Sequence, residues 1–544
     1  MRNTGAATVV RPGARRRSPV EAATETSDTT GVDAPPRARG TLVALLFAAT
    51  VCNINTVVAG IAVPDIGRQF GASQTALNLV ALATGLGLSV SVLYLGAVAD
   101  RYGRKQMLLI GIASTLAAST LSSLSASVEM LIVAQVLVGL AGGMAFPTTL
   151  SLITALWVKG SGRTGVIAIW SSVSSMATIA GAILAGLVLV LTSWHWVFML
   201  STPIAAVAFV LVLRFVPSHV AESNTPVDHV GGVLSASALG ALVLGVSIVF
   251  APGGALLGGV LLALAAVLLL LFGWRQARAR FPLFDLSVAR QRLFWLPAVG
   301  GLIAVGSLGG AMFVGEQFMQ SVMGYSPLQT GLAVIPAAVS LMLAAPLSAR
   351  AVGRLGTRDT MLIGYAFLLV AMLSMLFWRE ESAYPLVGFG FFMIGIGVTF
   401  VMTASRRALT SSTPVRRAGM ASATSDLQND LGGAVMQALL GAVLASGFAA
   451  VIAGKIAASP DAASLSDEVT RALQSSFASA EQVAQQYPHY TQEILDGARA
   501  SLLDGSLLAF FIGAAVTLIG AAAIRFGLPN REAERRLAEE RTEE

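Results

Sequence analysis

The sequence predicts an all-α polytopic membrane protein: two six-helix bundles with two extra central helices, fourteen transmembrane helices in all. Three observations lead there. The 544 residues are 55% hydrophobic and 12% charged, against about 25% charged in a soluble domain, so lipid is the solvent for most of the chain. Apolar runs of the roughly 20 residues needed to span a bilayer recur from residue 41 to residue 526. With the N-terminus inside, all but five of the 35 Lys and Arg fall on the inner side; the outer five are Arg68, Arg379, Lys455, Arg471 and Arg499. A bias of that size fixes orientation and supports an even helix number with both termini cytoplasmic.

Taken in order, residues 1–40 form a Pro/Gly/Ala/Thr-rich tail with basic Arg15, Arg16 and Arg17. It has too few apolar residues to fold alone and reads as a disordered cytoplasmic tail. It is not expected to be a signal peptide, because the first apolar run comes late and is long enough to span. The N-terminal bundle, 41–217, holds spans at 41–63, 77–98, 106–125, 129–153, 165–191 and 196–216. The two extra helices occupy 229–250 and 253–274, within 218–280. The C-terminal bundle, 281–527, holds 294–320, 328–349, 359–378, 384–405, 418–451 and 506–526, and 528–544 is a cytoplasmic tail. Between its last two spans lies a polar outer segment, 455–505, with seven acids against Lys455, Arg471 and Arg499 and helical spacing over 465–486. It reads as a solvated cap, with an envelope partner as the sharper alternative.

Several function classes fall away. The net charge of +6 is spread along the chain, with no aromatic-interleaved basic patch of the kind that binds nucleic acid. The single Cys52 permits no intrachain disulfide, and with four scattered histidines (His195, His219, His229, His489) it offers no metal centre and no reactive cluster for an enzyme. No cofactor is expected, and no G-x-x-x-x-G-K-[ST] loop for ATP is present.

The most informative stretch is Gly96 to Lys105, GAVADRYGRK, in a polar break between the second and third spans. Gly96 and Gly103 allow close backbone approach, while Asp100, Arg101, Arg104 and Lys105 must sit in water or among headgroups. An internal echo follows the tenth span: Arg354-Leu-Gly-Thr-Arg358 repeats Arg101-Tyr-Gly-Arg-Lys105, with Gly353 where Asp100 stood. Two related six-helix halves separated by the extra pair produce such an echo.

The stretch resembles the loop 2–3 signature of the major facilitator superfamily, G-x-x-x-D-R-x-G-R-K/R. The whole membrane part is similar to its fourteen-helix drug:proton antiporter (multidrug efflux) family. Phe318 to Pro336 resembles that family's helix 9–10 connection, Trp194 to Pro203 its W-R-W…N-x-P approach to helix 6, and Gly419 to Gly433 the start of its helix 13. The resemblance implies that Gly96, Asp100, Arg101, Gly103, Arg104 and Lys105 form a gating motif. It also implies a substrate site near mid-membrane between parallel halves.

The departures bear on mechanism. Asn55 stands nine residues before Pro64, where the family usually has Asp; Gln135 stands where it usually has Arg. Its G-P-x-x-G-G motif reads Gly181-Ala-Ile-Leu-Ala-Gly186. Two ionisable groups that often serve coupling are thus missing. Carboxyls inside spanning segments are expensive and usually functional, which leaves Glu316, Asp426 and Asp430 as proton-coupling candidates, with polar packing near a membrane end as the alternative. Asn55, Gln135, Phe146, Trp170 and Met312 are candidates for the substrate cavity; each alone also fits ordinary helix packing. The expected function is a secondary transporter in the plasma (inner) membrane. It would export amphipathic small molecules by alternating access, driven by proton exchange or the solute's own gradient. An uptake carrier, a lipid translocator and a non-transporting sensor are the alternatives. Expected partners are a lipophilic small molecule, protons and membrane lipid, but no nucleic acid.

Overall fold

Glycines stand at the turns between several of the helices. In the computed structural model, which describes residues 37–157, 161–218, 226–251, 253–413, 418–459 and 465–531, α1 (Ala38–Phe70) ends at Gly71 with φ 58°. α2 (Gln74–Tyr102) meets α3 (Arg104–Ser123) at Gly103, φ 116°. α10 (Pro327–Leu355) meets α11 (Thr357–Met375) at Gly356, φ 85°. Glycine, with no Cβ, adopts such angles without strain. Gly103 and Gly356 also make the same bond, each N–H donating at 3.1 Å to the carbonyl four residues back, Ala99 and Val352. The echo in the sequence is therefore an echo in the backbone.

The described residues contain fourteen helices long and apolar enough to cross a bilayer. The others are α4 (Val128–Leu156), α5 (Ser161–Leu191), α6 (Trp194–Phe215), α7 (His229–Val249), α8 (Ala255–Arg278), α9 (Arg292–Val322), α12 (Tyr384–Ser412), α13 (Ala418–Ala458) and α16 (Thr491–Gly527). In the first half α2 packs on α4, α1 on α5 and α6, and α3 on α4 and α6. In the second, α9 packs on α12 and α13, α10 and α11 on α12, and α13 on α16. Small residues permit this closeness. A Cβ on Gly87 of α2 would lie 2.8 Å from Gly139 Cα of α4, and one on Gly395 of α12 would lie 2.5 Å from Ala337 O of α10.

α7 packs on both halves, against α2 and α13, whereas α8 packs chiefly on α7 and leaves Leu256, Leu257, Val260, Leu270 and Trp274 exposed to lipid. Asp228 fastens the pair on the inner side. It caps α7 through Gly231 N–H (3.1 Å) and accepts from Arg275 (3.0 Å) and Gln276 (3.1 Å) of α8. Burial pushes the Asp228 carboxyl up, but the bonds from Arg275, Gly231 and Gln276 outweigh it and hold the group below the usual carboxylate range.

The boundaries differ from the expected spans where tertiary contacts extend a helix. α16 begins at Thr491 rather than 506, because Ala498, Ser501 and Leu502 already form a buried face. α13 continues to Ala458. α9 closes with a π-helical turn, Phe318–Val322, and α6 breaks at Leu200. The outer segment 455–505 holds α14 (Asp467–Ser475), α15 (Phe477–Gln486) and the first turns of α16. Of the tails expected over 1–40 and 528–544, residues 1–36 and 532–544 lie outside the described residues, and 38–40 belong to α1 rather than to a disordered tail.

Candidate functional site

On the outer side the two halves meet closely. Gln74 Nε2 of α2 donates to Gln317 Oε1 of α9 at 2.5 Å, and Gln320 Nε2 of α9 donates to the Ile61 carbonyl of α1 at 3.3 Å. Gly186 and Gly331 let α5 and the start of α10 touch: a Cβ on Gly186 would lie 2.6 Å from Pro327 O, and one on Gly331 2.7 Å from Ala182 O. α15 then straps the α1–α2 turn. Ser476, its N-cap, donates to Ala72 O (2.8 Å), Ser479 to Gly71 O (3.1 Å) and Gln482 to Arg68 O (2.5 Å). Arg68 in turn donates to Glu481 at 3.2 Å and also pairs with Asp65.

The inner side is parted. On α5, Ile169 (47% exposed) and Met176 (67%) stand open, as do Ser171 and Ser172. On α10, Met342, Leu343 and Leu347 are exposed, with Ala345, Pro346 and Ala349 beside them. Successive exposed residues cover more than one helix face, whereas a helix flanked by lipid on one side and protein on the other buries half its girth. α5 packs on the first turns of α10, residues 327–333, and scarcely on the rest of it, so the second open face of each borders a cleft between these two helices. The stretch Gly96–Lys105, expected as a gating motif, is bonded within its own half. Asp100 accepts from Arg104 at 2.9 Å, Arg104 also reaches Ser151 O of α4 (3.3 Å), and Lys105 reaches Leu213 O of α6 (3.0 Å). Gly96 makes no close backbone approach, contrary to the expectation for it, since nothing lies within 4 Å of a Cβ built there; Gly103 makes the turn, and Arg101 is partnered.

Between seal and cleft runs a column of ionisable groups on the second half. Glu316 of α9 is 5% exposed, and no hydrogen bond or ion pair reaches it among the described residues. Its carboxyl lies directly against Gly60 of α1. Met312, one turn earlier on α9, lies on the same helix face and is half-buried. Further inward on α13, Asp430 is within electrostatic reach of both Asp426 and Cys52, and Asp426 of Arg406 on α12. Cys52, Thr56 and Gly60 share one face of α1, so its wall of the cleft runs about 12 Å between the levels of Asp430 and Glu316. Asn53, beside it, accepts from Thr178 of α5 at 3.3 Å.

The other residues singled out from sequence sit elsewhere. Gln135 is 2% exposed between helices of the first half, accepting from Thr84 (2.8 Å) and donating to Ser122 (2.9 Å). Asn55 accepts from Ser201 of α6 at 2.9 Å. Trp170 is buried against Phe146 (centroids 5.3 Å) and donates to Thr149 (3.0 Å), at the level where α5 becomes open. Residues missed from sequence include Gly60, Asn53, Thr178 and the exposed Arg406, which donates to Ser425 at 3.2 Å. The polar stripe Asn53–Thr56 and the Gly60 that follows it at helical spacing were the available signal.

A bilayer-spanning protein of two halves, sealed outside and parted inside around buried carboxyls, is a membrane transporter. The chain belongs to the Major Facilitator Superfamily, whose family model matches residues 45–437. It is 30% identical over 491 residues to the multidrug efflux pump LfrA of Mycolicibacterium smegmatis, covering 90% of this chain and 96% of that one. It is 30% identical over 419 residues to the multidrug resistance protein Stp of Mycobacterium tuberculosis (76% and 77% covered). It is 28% identical over 496 residues to the tetracenomycin C resistance and export protein of Streptomyces glaucescens (89% and 91%). Among solved structures it shares its fold with a bacterial homolog of the human lysosomal transporter Spinster in an inward-facing, unoccupied conformation (TM-score 0.59, 14% identity, 91% and 99% covered). The same holds for the nucleoside transporter NupG (TM-score 0.58, 11% identity, 90% and 100%).

Proposed function

We propose that this transporter exports amphipathic small molecules from the cytoplasm by rocking its two halves about the central cleft, in exchange for protons carried on Glu316. The observation that carries the proposal is the unpartnered Glu316 carboxyl at the seam, opposite Gly60. A carboxyl that is neither bonded nor paired is free to take up a proton in one state and yield it when the seam opens. Asp430 and Asp426 lie on the inner path and serve as the relay to the cytoplasmic cleft. The efflux names of the relatives, and the mostly apolar helices around a few polar groups, support a lipophilic solute. Cytoplasmic termini follow from the basic bias of the inner loops. Segment 455–505 serves as an outer lid for the chain's own seam rather than as a platform for an envelope partner.

The test is ethidium flux in proteoliposomes with an imposed proton gradient. Gradient-driven flux is expected in the native protein and absent in Glu316→Gln, which retains slow downhill exchange. Undiminished gradient-driven flux in Glu316→Gln removes that residue from the coupling role. Driven flux into the compartment bearing the cytoplasmic face makes the protein an uptake carrier.

A further inference from the structure

A hollow of about 630 Å³ opens in the outer cap, apart from the seam and the cleft, between the end of α13, α14, the α15–α16 turn and the start of α16. Its floor is apolar: Ile452, Leu473 and Val483 are each no more than 5% exposed. Its walls include two half-exposed tyrosines, Tyr487 (44%) and Tyr490 (46%), and its rim carries Glu493, Asp496 and Lys455. We propose that this hollow is a binding site for an amphipathic organic cation, separate from the translocation cleft.

Three features select that class. The volume falls in the range of about 300–1,000 Å³ that drug-sized ligands occupy. An apolar floor beneath aromatic walls takes a hydrophobic body, and tyrosine faces favour a delocalised positive charge. Among the described residues the rim supplies two carboxylates against one ammonium. Arg499 does not reverse that balance, because it spans from Asp496 (3.7 Å) to Glu380 (3.6 Å) and lines the seam-side cavity instead. Glu493 has no ion pair or hydrogen bond among the described residues. A phospholipid or fatty-acid chain fits the floor but brings its anionic head to this acidic rim, so a cation is favoured. The site stands whether or not transport is proton-coupled.

The test uses the purified full chain in neutral detergent, photolabelled with ethidium monoazide and mapped by peptide mass spectrometry. Adducts are expected on 465–497 and are to be displaced by tetraphenylphosphonium. Val469→Trp fills the hollow and should remove these adducts. Glu493→Gln with Asp496→Asn, both at the exposed rim, should weaken tetraphenylphosphonium competition about threefold, the size of an exposed ion pair. Labelling confined to membrane-spanning peptides, or unchanged in both variants, overturns the site. Displacement by oleate or phosphatidylglycerol as effective as by tetraphenylphosphonium overturns the assignment to cations.

Discussion

The carboxyl of Glu316 on one half rests directly against Gly60 on the other, at the level where the outer seal gives way to the inner cleft. A Cβ at this position would meet only the far end of the Glu316 side chain, which must turn aside to admit it. Gly60→Ala should therefore disfavour the inward-open form by forcing Glu316 off its rotamer, which costs about 0.5–1.5 kcal/mol. Distances between spin labels at the inner ends of α3 and α11 should shorten. Shortening Glu316 by one methylene (Glu316→Asp) in the same protein should restore the native distribution; no restoration separates the two residues.

Asp100 is half-exposed and bonded within its own half, so its replacement is expected to tilt the balance of states without touching the solute site. An exposed pair contributes at most about 1 kcal/mol. Asp100→Asn should shift the inward-open fraction about threefold, with ethidium affinity in the locked inward state unchanged. Loss of binding with an unchanged balance of states contradicts this role.

The α15 strap predicts a graded response. Glu481→Gln removes only a half-exposed partner of Arg68, worth under about 1 kcal/mol. Ala478 packs where a Cβ on Gly67 would lie 2.9 Å from its own, so Ala478→Trp wedges the strap off α1. Reactivity of a cysteine placed at Gln74 should rise slightly in the first variant and about tenfold or more in the second, since buried overpacking costs more than a surface pair.

Asp228 predicts an acid dependence. Its carboxyl is held below the usual range, so the stability it contributes is present above the ordinary carboxylate pKa of about 4 and is lost as pH falls through its own lower value. Asp228→Asn should lower stability by about 2 kcal/mol at neutral pH, the scale of hydrogen bonds to a charged group. The melting temperatures of variant and native protein should converge as pH drops below about 4. A gap that persists in acid points to packing rather than charge.

The spans, the polar break that holds Gly103 and its echo around Gly356 were legible because lipid imposes length and charge placement on each segment separately. Side-chain direction was not, because it depends on which helix lies alongside. Asn55 and Gln135 look alike from sequence as polar groups in apolar runs, yet Ser201, Thr84 and Ser122 take their hydrogen bonds inside the first half. Glu316 was legible as a buried charge, but its relation to Gly60 crosses more than 250 residues of sequence. The reach of α15 onto the α1–α2 turn was hidden for the same reason: its amphipathic pattern shows that one face is covered, not by what.

The most direct test of the account counts protons. Tetraphenylphosphonium is added to weakly buffered, purified protein near neutral pH, and release is followed with a pH-sensitive dye. Glu316 as exchanger predicts a saturable proton release in the native protein that is absent in Glu316→Gln although the cation still binds. Equal release from both proteins contradicts it.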